Sequence, residues 1–273
     1  MNRPLISILI PTYNRPHYLC ELLEAIVEQR YSNLEVIVVN DCGEPVEFIR
    51  ELYPELTIKV VNMSTNQKHV HARNAGLQQA TGELLMLCDD DDLILPGHLE
   101  RMLPAVEQGY DLVYSDVEMF DYRIEGQTRI PVSRRLFAYE YDLEGMKRFS
   151  TFVSSGCLYR RSIHEIIGPF DAGMLHYWDW DFFLNVSASF RVKRVPVASA
   201  LYAFSQQGDN MSANHEDMRP YLDKLSAKHG LGFLPTKNFF VLLEEPEVKA
   251  RQADSEIVWD GNPIVSRRAA AQC

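Results

Sequence analysis

Long apolar runs, paired cysteines and an excess of positive charge are all missing from this sequence, and each absence excludes a class of protein. No stretch approaches the ~20 apolar residues that span a bilayer. The N-terminus, MNRPLISILIPTYNRP, has only a short apolar run, so neither a transmembrane helix nor a signal peptide is expected. The formal charge of −11 argues against DNA or RNA as the main partner, since phosphates demand a basic surface. The five cysteines never form a CxxC pair, which favours free thiols in a reducing cytoplasm over a zinc site.

What the sequence does contain is the composition of a packed globular protein. Of its 273 residues, 46% are hydrophobic and 24% are charged, so the chain can bury a core and global disorder is not expected. This length is near the upper size for a single core. It favours one α/β domain with an appendage over two equal domains.

The first hundred residues alternate between short apolar runs and segments with helical periodicity. The runs at 5–10, 34–39, 57–61 and 83–88 are too short for helices and rich in apolar residues, so they predict buried strands. Between the first two runs lies an apolar helical stripe, with Asn14 as the predicted N-cap and Pro16 in the first turn. Strands that alternate with helices need crossover connections. The pattern therefore predicts an α/β fold with a mostly parallel central sheet flanked by helices.

The pattern changes after about residue 110 and predicts a smaller, mixed second half. Segments 111–120, 152–161 and 191–204 indicate strands, and 179–190 indicates a helix. Beyond residue 230 the periodicity is weak, which predicts a tail that packs on the domain or on a partner, with frayed last residues. The expected organisation is one domain over residues 1–230, with halves 1–110 and 111–230, followed by a C-terminal extension at 231–273.

Polar residues follow three of the predicted strands at the point where each strand ends. They are PTYN at 11–14, NDCG at 40–43 and DDDD at 89–92. In a parallel α/β sheet the ligand crevice lies outside the carboxyl ends of the strands, near a switch point. We therefore expect the three clusters to converge on one crevice.

The run of four carboxylates from Asp89 to Asp92 needs a source of positive charge, because adjacent like charges repel. Hard oxygen ligands at a strand end suit Mg²⁺ or Mn²⁺, which is typically shared between one or two carboxylates and substrate phosphates. The alternative is that one aspartate caps a helix beginning near Pro96, but a cap needs one carboxylate and not four. The run therefore predicts a divalent-metal site.

Other polar residues near the strand ends have both a binding and a structural interpretation. Asp41 could accept the ring N–H of uracil, thymine or guanine, and the alternative is an Asx-turn with Gly43. PTYN is either part of the site or a turn with an N-cap. Arg73 and Lys68 could face a diphosphate, although a lone basic residue is more often solvated.

The segment YWDWDFF at 177–183 places two aspartates beside two tryptophans. In the structural interpretation, Asp179 and Asp181 lie at the start of a helix, where carboxylates favour the helix dipole. In the functional interpretation, one aspartate is a general base whose pKa is raised by desolvation. Trp178 and Trp180 would then offer a sugar ring a flat apolar face. The residues alone leave these interpretations open.

Taken together, these segments resemble glycosyltransferase family 2. The resemblance rests on four stretches that keep the family's order and spacing over roughly residues 4 to 205: ISILIPTYNRPHYLCELLEAIVEQRYSNLEVIVVNDCG, ARNAGLQQATGELLMLCDDDDLILPGHLE, SSGCLYRRSIHEIIGPFD and WDWDFFLN. It implies the Rossmann-like GT-A fold, an inverting reaction, a nucleotide-sugar donor and a Mn²⁺ or Mg²⁺ cofactor. Residues 1–110 would be the nucleotide-sugar-binding half and 111–230 the acceptor-binding half.

The resemblance also implies roles for individual residues. Asp91 is similar to the family's metal ligand in the DxD motif, and Asp179 matches the last carboxylate of its Glu-Asp base motif. Trp178 stands in place of the usual Glu, so the choice between Asp179 and Asp181 stays open. With Asp179 as the base, Asp181 is expected at the acceptor beside Trp178 and Trp180. The residues expected at the donor are Pro11, Thr12, Tyr13, Asn14, Asp41, Lys68, Arg73, Asp89 and Asp90.

The expected activity is metal-assisted transfer of a hexosyl or N-acetylhexosaminyl group from a UDP-sugar to a hydroxyl of a saccharide or lipid-linked acceptor. Such an enzyme of surface-polysaccharide assembly is expected in the cytoplasm, at the inner face of the membrane, and its C-terminal extension could join two copies. Rival hypotheses are a nucleotide-sugar-binding protein without turnover, a sugar-1-phosphate nucleotidylyltransferase and a haloacid-dehalogenase-type phosphatase. Against a nucleotidylyltransferase, the N-terminus has no glycine-rich phosphate loop. Against a phosphatase of this type, Leu93 stands where its motif needs Thr or Val.

Overall fold

The structure is a computed structural model that describes residues 3–204, 215–237 and 239–270. The strands are β1 (Ile6–Thr12), β2 (Leu34–Asn40), β3 (Ile58–Asn62), β4 (Leu84–Leu87), β5 (Leu93–Ile94), β6 (Leu112–Glu125), β7 (Thr128–Phe137), β8 (Leu158–Arg160), β9 (Val192–Ala203) and β10 (Glu256–Ile257). The helices are α1 (Pro16–Val27), α2 (Ile49–Leu52), α3 (Lys68–Gln79), α4 (His98–Glu107), α5 (Leu143–Met146), α6 (Ile163–Ile167), α7 (Trp178–Ser189), α8 (His215–His229), α9 (Phe239–Leu243), α10 (Pro246–Lys249) and α11 (Arg267–Ala270).

These strands form one sheet in which most neighbours run parallel. Along the sheet the order is β10-β9-β6-β8-β4-β1-β2-β3, with β5 paired to β9 and β7 paired to β6. The pairs among β1, β2, β3 and β4 are parallel, whereas β8 runs antiparallel to both β4 and β6. The predicted mostly parallel sheet, flanked by helices, is confirmed.

Alternating side chains along the first strand contribute to a core on each face of the sheet. Ile6, Ile8 and Ile10 of β1 belong to the core that also contains the apolar residues of α1 and α4. Leu9 belongs to the other core, together with apolar residues of α3, α7 and α8. Both faces of the strand are therefore buried, as its continuous apolar run predicts. The polar residues that follow β1, β2 and β4 are left at the edge where the carboxyl ends of these strands meet.

The second half of the chain departs from the prediction in two places. Strand β6 continues to Glu125 and pairs with β7 in a long hairpin that the sequence did not predict. The strand predicted over 152–161 is limited to Leu158–Arg160. The chain turns just before it, where Gly156 has a φ of 83° and donates its N–H to the carbonyl of Leu87 at 3.0 Å.

The C-terminal extension packs on its own domain. Strand β10 lies parallel to β9, and the ring of Trp259 packs against that of Phe120 with centroids 5.4 Å apart. Arg267 of α11 pairs with Glu24 and Glu55 in the N-terminal half of the chain. The extension thus has partners within the chain, while the predicted fraying falls on residues 271–273, outside the described residues. No helix in the described ranges is both long enough and apolar enough to cross a membrane.

Candidate active site

Hydrogen bonds between polar residues hold the ends of β1 and β4 together. The Thr12 hydroxyl donates to Asp90 Oδ2 at 2.7 Å in a buried position. Arg15, just before α1, donates from Nη1 to Asp91 Oδ2 at 2.6 Å and lies 3.5 Å from Asp90 Oδ1. The first and third polar clusters therefore meet in one place.

Asp89 is bound by helix α3. Its carboxylate pairs with Arg73, a side chain that is only 2% exposed. The guanidinium carbon of Arg73 also lies 3.8 Å from the centre of the Trp178 ring, which is a cation–π contact. Because Trp178 begins helix α7, Arg73 joins the carboxylate run to the segment that carries Asp179.

The last aspartate of the run, Asp92, has a structural environment. It is buried, and its carboxylate accepts hydrogen bonds from the Ser155 hydroxyl and from the backbone N–H of Ala203, the latter at 3.0 Å. Burial raises its pKa well above the ordinary value, and the charges of Asp91 and Asp89 add to the rise. Asp92 therefore ties the end of β4 to β9 and to the loop before β8.

The protein balances the charge of the carboxylate run only in part. Burial and the neighbouring Asp91 raise the pKa of Asp90 to about 7, against the opposing effects of Arg15 and Thr12. Burial also raises the pKa of Asp91. Arg15 and Arg73 are the two cations paired with these four carboxylates among the described residues. Four carboxylates thus share two paired cations, and burial together with their mutual repulsion raises the pKa of Asp90, Asp91 and Asp92.

At the end of β2, Asn40 and Asp41 have different structural tasks. Asn40 Oδ1 accepts the backbone N–H of Gly43 at 2.8 Å, so the turn considered for Asp41 is made one residue earlier. The Asp41 carboxylate accepts the backbone N–H groups of Gln67 and Lys68 at 2.8 and 2.7 Å and fixes the start of α3. Asp41 is 4% exposed, and each of its oxygens has a second lone pair that these two bonds do not use. The Lys68 side chain is exposed.

The residues that follow β1 differ in their exposure. Pro11 is buried within the strand, whereas the side chain of Tyr13 is 47% exposed. Asn14 Oδ1 accepts the N–H of Glu44 at 2.8 Å and so links this turn to the loop after β2. Helix α1 begins at Pro16 without a side-chain cap, so the predicted N-cap role of Asn14 is wrong.

Asp179 lies in the first turn of α7 and is partly exposed. Its Oδ1 accepts the backbone N–H of Trp180 at 2.8 Å. Burial raises its pKa, and the negative charge of Asp89 adds to the rise while Arg73 opposes it. Arg73, which pairs with Asp89 and lies on the Trp178 ring, is the contact that links Asp179's helix to the carboxylate run.

Asp181, two residues further along α7, belongs to the interior. It is 2% exposed and accepts hydrogen bonds from Lys228 Nζ at 2.8 Å and from His229 Nε2 at 2.7 Å, both on α8. Lys228 also pairs with Asp171 at 3.0 Å. The predicted acceptor-binding role of Asp181 does not fit this packing, because both carboxylate oxygens bind α8.

The two tryptophans beside the aspartates are also buried. Trp180 donates its indole N–H to the carbonyl of Met146 at 2.6 Å. Trp178 carries Arg73 on its ring and contacts the ring of Phe170 edge-on, with centroids 5.4 Å apart. The prediction that these indoles offer an open face to a sugar does not fit their packing, since aromatic side chains with these contacts form part of the core.

A comparison with protein families identifies the chain. The model of glycosyl transferase family 2 matches residues 7–168, which is more than half of the sequence and includes all of the expected donor residues. The chain belongs to glycosyltransferase family 2. The match ends before Asp179, so helix α7 of this family 2 protein lies outside the matched range.

Other glycosyltransferases resemble this family 2 protein in sequence or in fold. YwdF of Bacillus subtilis (strain 168), described as an uncharacterized glycosyltransferase, is 56% identical over 263 residues, which cover 96% of this chain and 98% of YwdF. Residues 1–349 of S. aureus TarS, solved in complex with UDP-GlcNAc, match with a TM-score of 0.66 at 22% identity over 82% of this chain and 66% of that one. The mannosyltransferase PcManGT from Pyrobaculum calidifontis, solved with GDP-Man and Mn²⁺, matches with a TM-score of 0.59 at 20% identity over 86% and 67% of the two chains. These structures show that the chain has the GT-A fold.

Family 2 implies a divalent ion, and the residues of the carboxylate run fit one that is shared with a substrate. Among the residues placed in the structure, no three His, Cys, Asp or Glu side chains are arranged to hold a metal by themselves. Mg²⁺ typically takes one or two carboxylates and completes its shell with waters and phosphate oxygens. Asp89 and Asp91 meet that need, because their side chains are 34% and 24% exposed. The repulsion among the neighbouring carboxylates also favours a cation, which would relieve it.

Sequence reasoning missed several residues of this family 2 site. Arg15 directly follows PTYN, and a cation beside a polar turn was a usable signal. Ser155 and Arg129 carry no such signal, because they reach the carboxylate run from distant segments of the chain. Tyr202 of β9 lies near the carboxylate run. Burial raises the pKa of its phenol well above the ordinary value, and the negative charges of the run add to the rise.

Proposed function

We propose that the protein transfers a sugar from a UDP-sugar to a hydroxyl of a saccharide or lipid-linked acceptor, with inversion at the anomeric carbon. The observation that carries the proposal is the link that Arg73 forms between two acidic groups. These are the run from Asp89 to Asp91 after β4 and Asp179 at the start of α7. Arg73 contacts both Asp89 and Trp178 and so holds the two groups in a fixed relation. One group suits the diphosphate of a donor and the other suits an acceptor hydroxyl.

The nucleoside is assigned to the ends of β1 and β2. The exposed ring of Tyr13 offers a face on which a base can stack. Asp41 lies beside this turn, because its backbone N–H donates to the carbonyl of Thr12 at 3.0 Å. Its free lone pairs can accept the ring N–H of uracil, which cytosine lacks. The UDP-GlcNAc complex of TarS supports a uridine nucleotide.

The diphosphate is assigned to the end of β4. Asp91, together with Asp89, would hold a Mn²⁺ or Mg²⁺ ion, which supplies positive charge to the departing diphosphate when it is bound. Thr12 fixes Asp90 behind them. Arg15 is 33% exposed beside Asp91, so its guanidinium adds a second cation at the same place. The Mn²⁺ complex of PcManGT supports the metal.

Asp179 is assigned as the general base. Its raised pKa, which results from burial, makes it a better proton acceptor than an exposed aspartate. It takes the proton of the acceptor hydroxyl while the hydroxyl oxygen bonds to the anomeric carbon. The bond from that carbon to the diphosphate breaks, and its electron pair leaves on UDP. Attack opposite the leaving group inverts the anomeric configuration.

The second half of the chain would receive the acceptor. We assign the protein to surface-polysaccharide assembly in the cytoplasm, at the inner face of the membrane, because nucleotide sugars are cytoplasmic donors. Transfer of a hexosyl or N-acetylhexosaminyl group fits the same site. This assignment gives a UDP-sugar as the donor to be tried first with saccharide and lipid-linked acceptors.

Ligand-induced stabilisation tests the donor assignment. With Mn²⁺ present, UDP at 100 times its Kd should raise the unfolding free energy by about 2.7 kcal/mol. GDP and dTDP are tested as alternative nucleotides. CDP is the control, because its base offers no ring N–H. UDP release from UDP-sugars with a saccharide acceptor then measures turnover. Failure of every nucleotide to stabilise the protein would contradict the proposal, whereas tight binding without release would favour the binding-only alternative.

A further inference from the structure

We propose that Arg129 is a positioning residue that fixes the backbone of Asp91 and thereby sets the affinity of the donor site. This inference rests on the proposed function, because it uses the assignment of Asp91 to the metal and the diphosphate. Arg129 lies on β7, in the hairpin formed by β6 and β7. The hairpin thus acquires a role in the reaction that its sequence does not indicate.

The guanidinium of Arg129 bonds two separate elements. Its Nη1 donates to the backbone carbonyl of Asp91 at 2.5 Å, and its Nε donates to Glu21 Oε2 of α1, also at 2.5 Å. The backbone N–H of Arg129 donates to the other oxygen of Glu21 at 3.3 Å. A planar group with several donors can satisfy both partners at once, which a lysine ammonium on a flexible stem does less well.

Arg129 is enclosed so that water does not compete for these bonds. Both Arg129 and Glu21 have side chains that are 2% exposed. The guanidinium carbon lies 4.8, 5.3 and 5.5 Å from the ring centres of Tyr18, Tyr122 and Phe120. Its Nη2 is buried and makes no hydrogen bond within the described ranges. Hydrogen bonds to a charged group are stronger in such a low-dielectric site than in water.

The Asp91 carbonyl is one of several points at which the carboxylate turn is tied to the rest of the fold, and it belongs to the backbone of Asp91 itself. Within the turn, the backbone N–H of Asp92 donates to the carbonyl of Asp89 at 3.1 Å. The Asp91 carboxylate itself contacts Arg15, whose side chain is 33% exposed and therefore screened by solvent. The partly buried bond from Arg129 restrains the backbone of Asp91, and this restraint limits the directions open to the Asp91 carboxylate.

Stability alone does not account for a charge at this position. A buried ion pair carries a desolvation cost, and an apolar pair of similar volume is often at least as stable. Such a pair would fill the space between Tyr18, Phe120 and Tyr122 without that cost. It would not supply a donor to the Asp91 carbonyl, and that donor is the contribution specific to Arg129.

Arg129→Met tests the inference, with Arg194→Met as a matched control. Arg194 also forms a buried pair, with Asp116 at 2.7 Å, and its removal likewise leaves a 2% exposed carboxylate unpaired. It lies nine residues along β9 from Ala203, roughly 30 Å at ~3.3 Å per residue, and so far from the carboxylate run. Arg129→Lys retains the charge beside Glu21 and protects the fold if the methionine variant is unstable.

Two measurements test whether Arg129 positions Asp91. The first is UDP affinity by calorimetry, in Mn²⁺ and in EDTA, and the second is hydrogen exchange of the backbone amides of residues 88–93. We expect Arg129→Met and Arg129→Lys to weaken UDP binding in Mn²⁺ about 10–100-fold, the usual loss when support of a metal ligand is removed. Exchange at 88–93 should accelerate in both, while Arg194→Met leaves both readouts unchanged. Wild-type affinity and wild-type exchange in a folded Arg129 variant would overturn the inference. If wild type binds no nucleotide, the proposed function fails, and the exchange data still decide whether Arg129 holds the turn.

Discussion

Replacing Asp179 by Asn should abolish transfer while leaving the fold intact. An Asn side chain keeps the size of Asp179 and can still accept the N–H of Trp180, now 2.8 Å away. It removes a partly exposed negative charge whose pKa is raised by desolvation, with Asp89 adding to the rise, so the unfolding free energy should stay level or increase. Loss of a general base typically lowers the rate about 10²–10⁴-fold. UDP affinity should be close to that of wild type, because the proposed donor contacts are made elsewhere.

Asp181→Asn should have the opposite profile. Its carboxylate bonds Lys228 and His229 of α8, and breaking a fully buried pair costs about 3–5 kcal/mol. The expected cost is lower, about 2 kcal/mol, because Lys228 is 34% exposed and keeps Asp171 as a partner. For a chain of this size that corresponds to a fall in Tm of about 4–8 °C. The transfer rate of the folded variant should stay within a few-fold of wild type.

Both variants are to be assayed for transfer rate, UDP affinity and Tm at a temperature where each is folded. The reasoning is refuted if Asp181→Asn binds UDP and melts like wild type but does not transfer, since the base would then be Asp181. It is also refuted if Asp179→Asn transfers at the wild-type rate. If Asp179→Asn lost UDP affinity by the same factor as transfer rate, the residue would act on the donor and not on the acceptor hydroxyl.

Three further outcomes are expected. Asp91→Asn should remove most turnover and the Mn²⁺-dependent part of UDP binding in calorimetry, and full activity of wild type in excess EDTA would contradict the metal assignment. Asp41→Ala should weaken UDP binding by about 1.5–3 kcal/mol, the value of a hydrogen bond to a charged group, and equal affinity of wild type for CDP and UDP would rule out recognition of the base by this carboxylate. Burial lowers the pKa of His98 to about 4 in the folded state, so the unfolded chain takes up its proton first as the pH falls below about 6.5. Denaturant titrations should therefore show that the unfolding free energy of wild type falls by about 2 kcal/mol more between pH 7 and pH 5 than that of His98→Gln, in which this position does not titrate. Equal losses of unfolding free energy in the two proteins would argue against a buried neutral His98.

The strands of the first half were predicted from the sequence because their signal is local. Apolar runs at 5–10 and 34–39 correspond to Ile6–Thr12 and Leu34–Asn40 within two residues at each end. Strand β7 has no such signal, since its sequence TRIPVSRRLF is rich in charge. Its three arginines have tertiary partners: Glu21 for Arg129, Glu118 for Arg134 and Glu244 for Arg135. No pattern within ten residues could indicate those pairs.

The candidate site also combines features with a local sequence signal and features that depend on distant elements. The aspartates after β4 were predicted to meet the PTYN turn because carboxyl ends of parallel strands share one edge. The tryptophans beside Asp179 were predicted to bind a sugar, yet their environment depends on Arg73 of α3 and on Met146 of α5. An aromatic residue next to an acid looks the same in sequence whether its ring is open or covered. Only the packing of distant elements decides between the two.

The contact between α1 and α11 has a consequence for synthesis of the protein. Glu24 and its partner Arg267 are 243 residues apart. At a translation rate of 5–20 residues per second, Glu24 is added to the chain about 12–50 s before Arg267. During that interval the surface of α1 that α11 later covers is open on the nascent chain. It is therefore a surface on which a chaperone could act, and α1 reaches its final packing only when α11 has been translated.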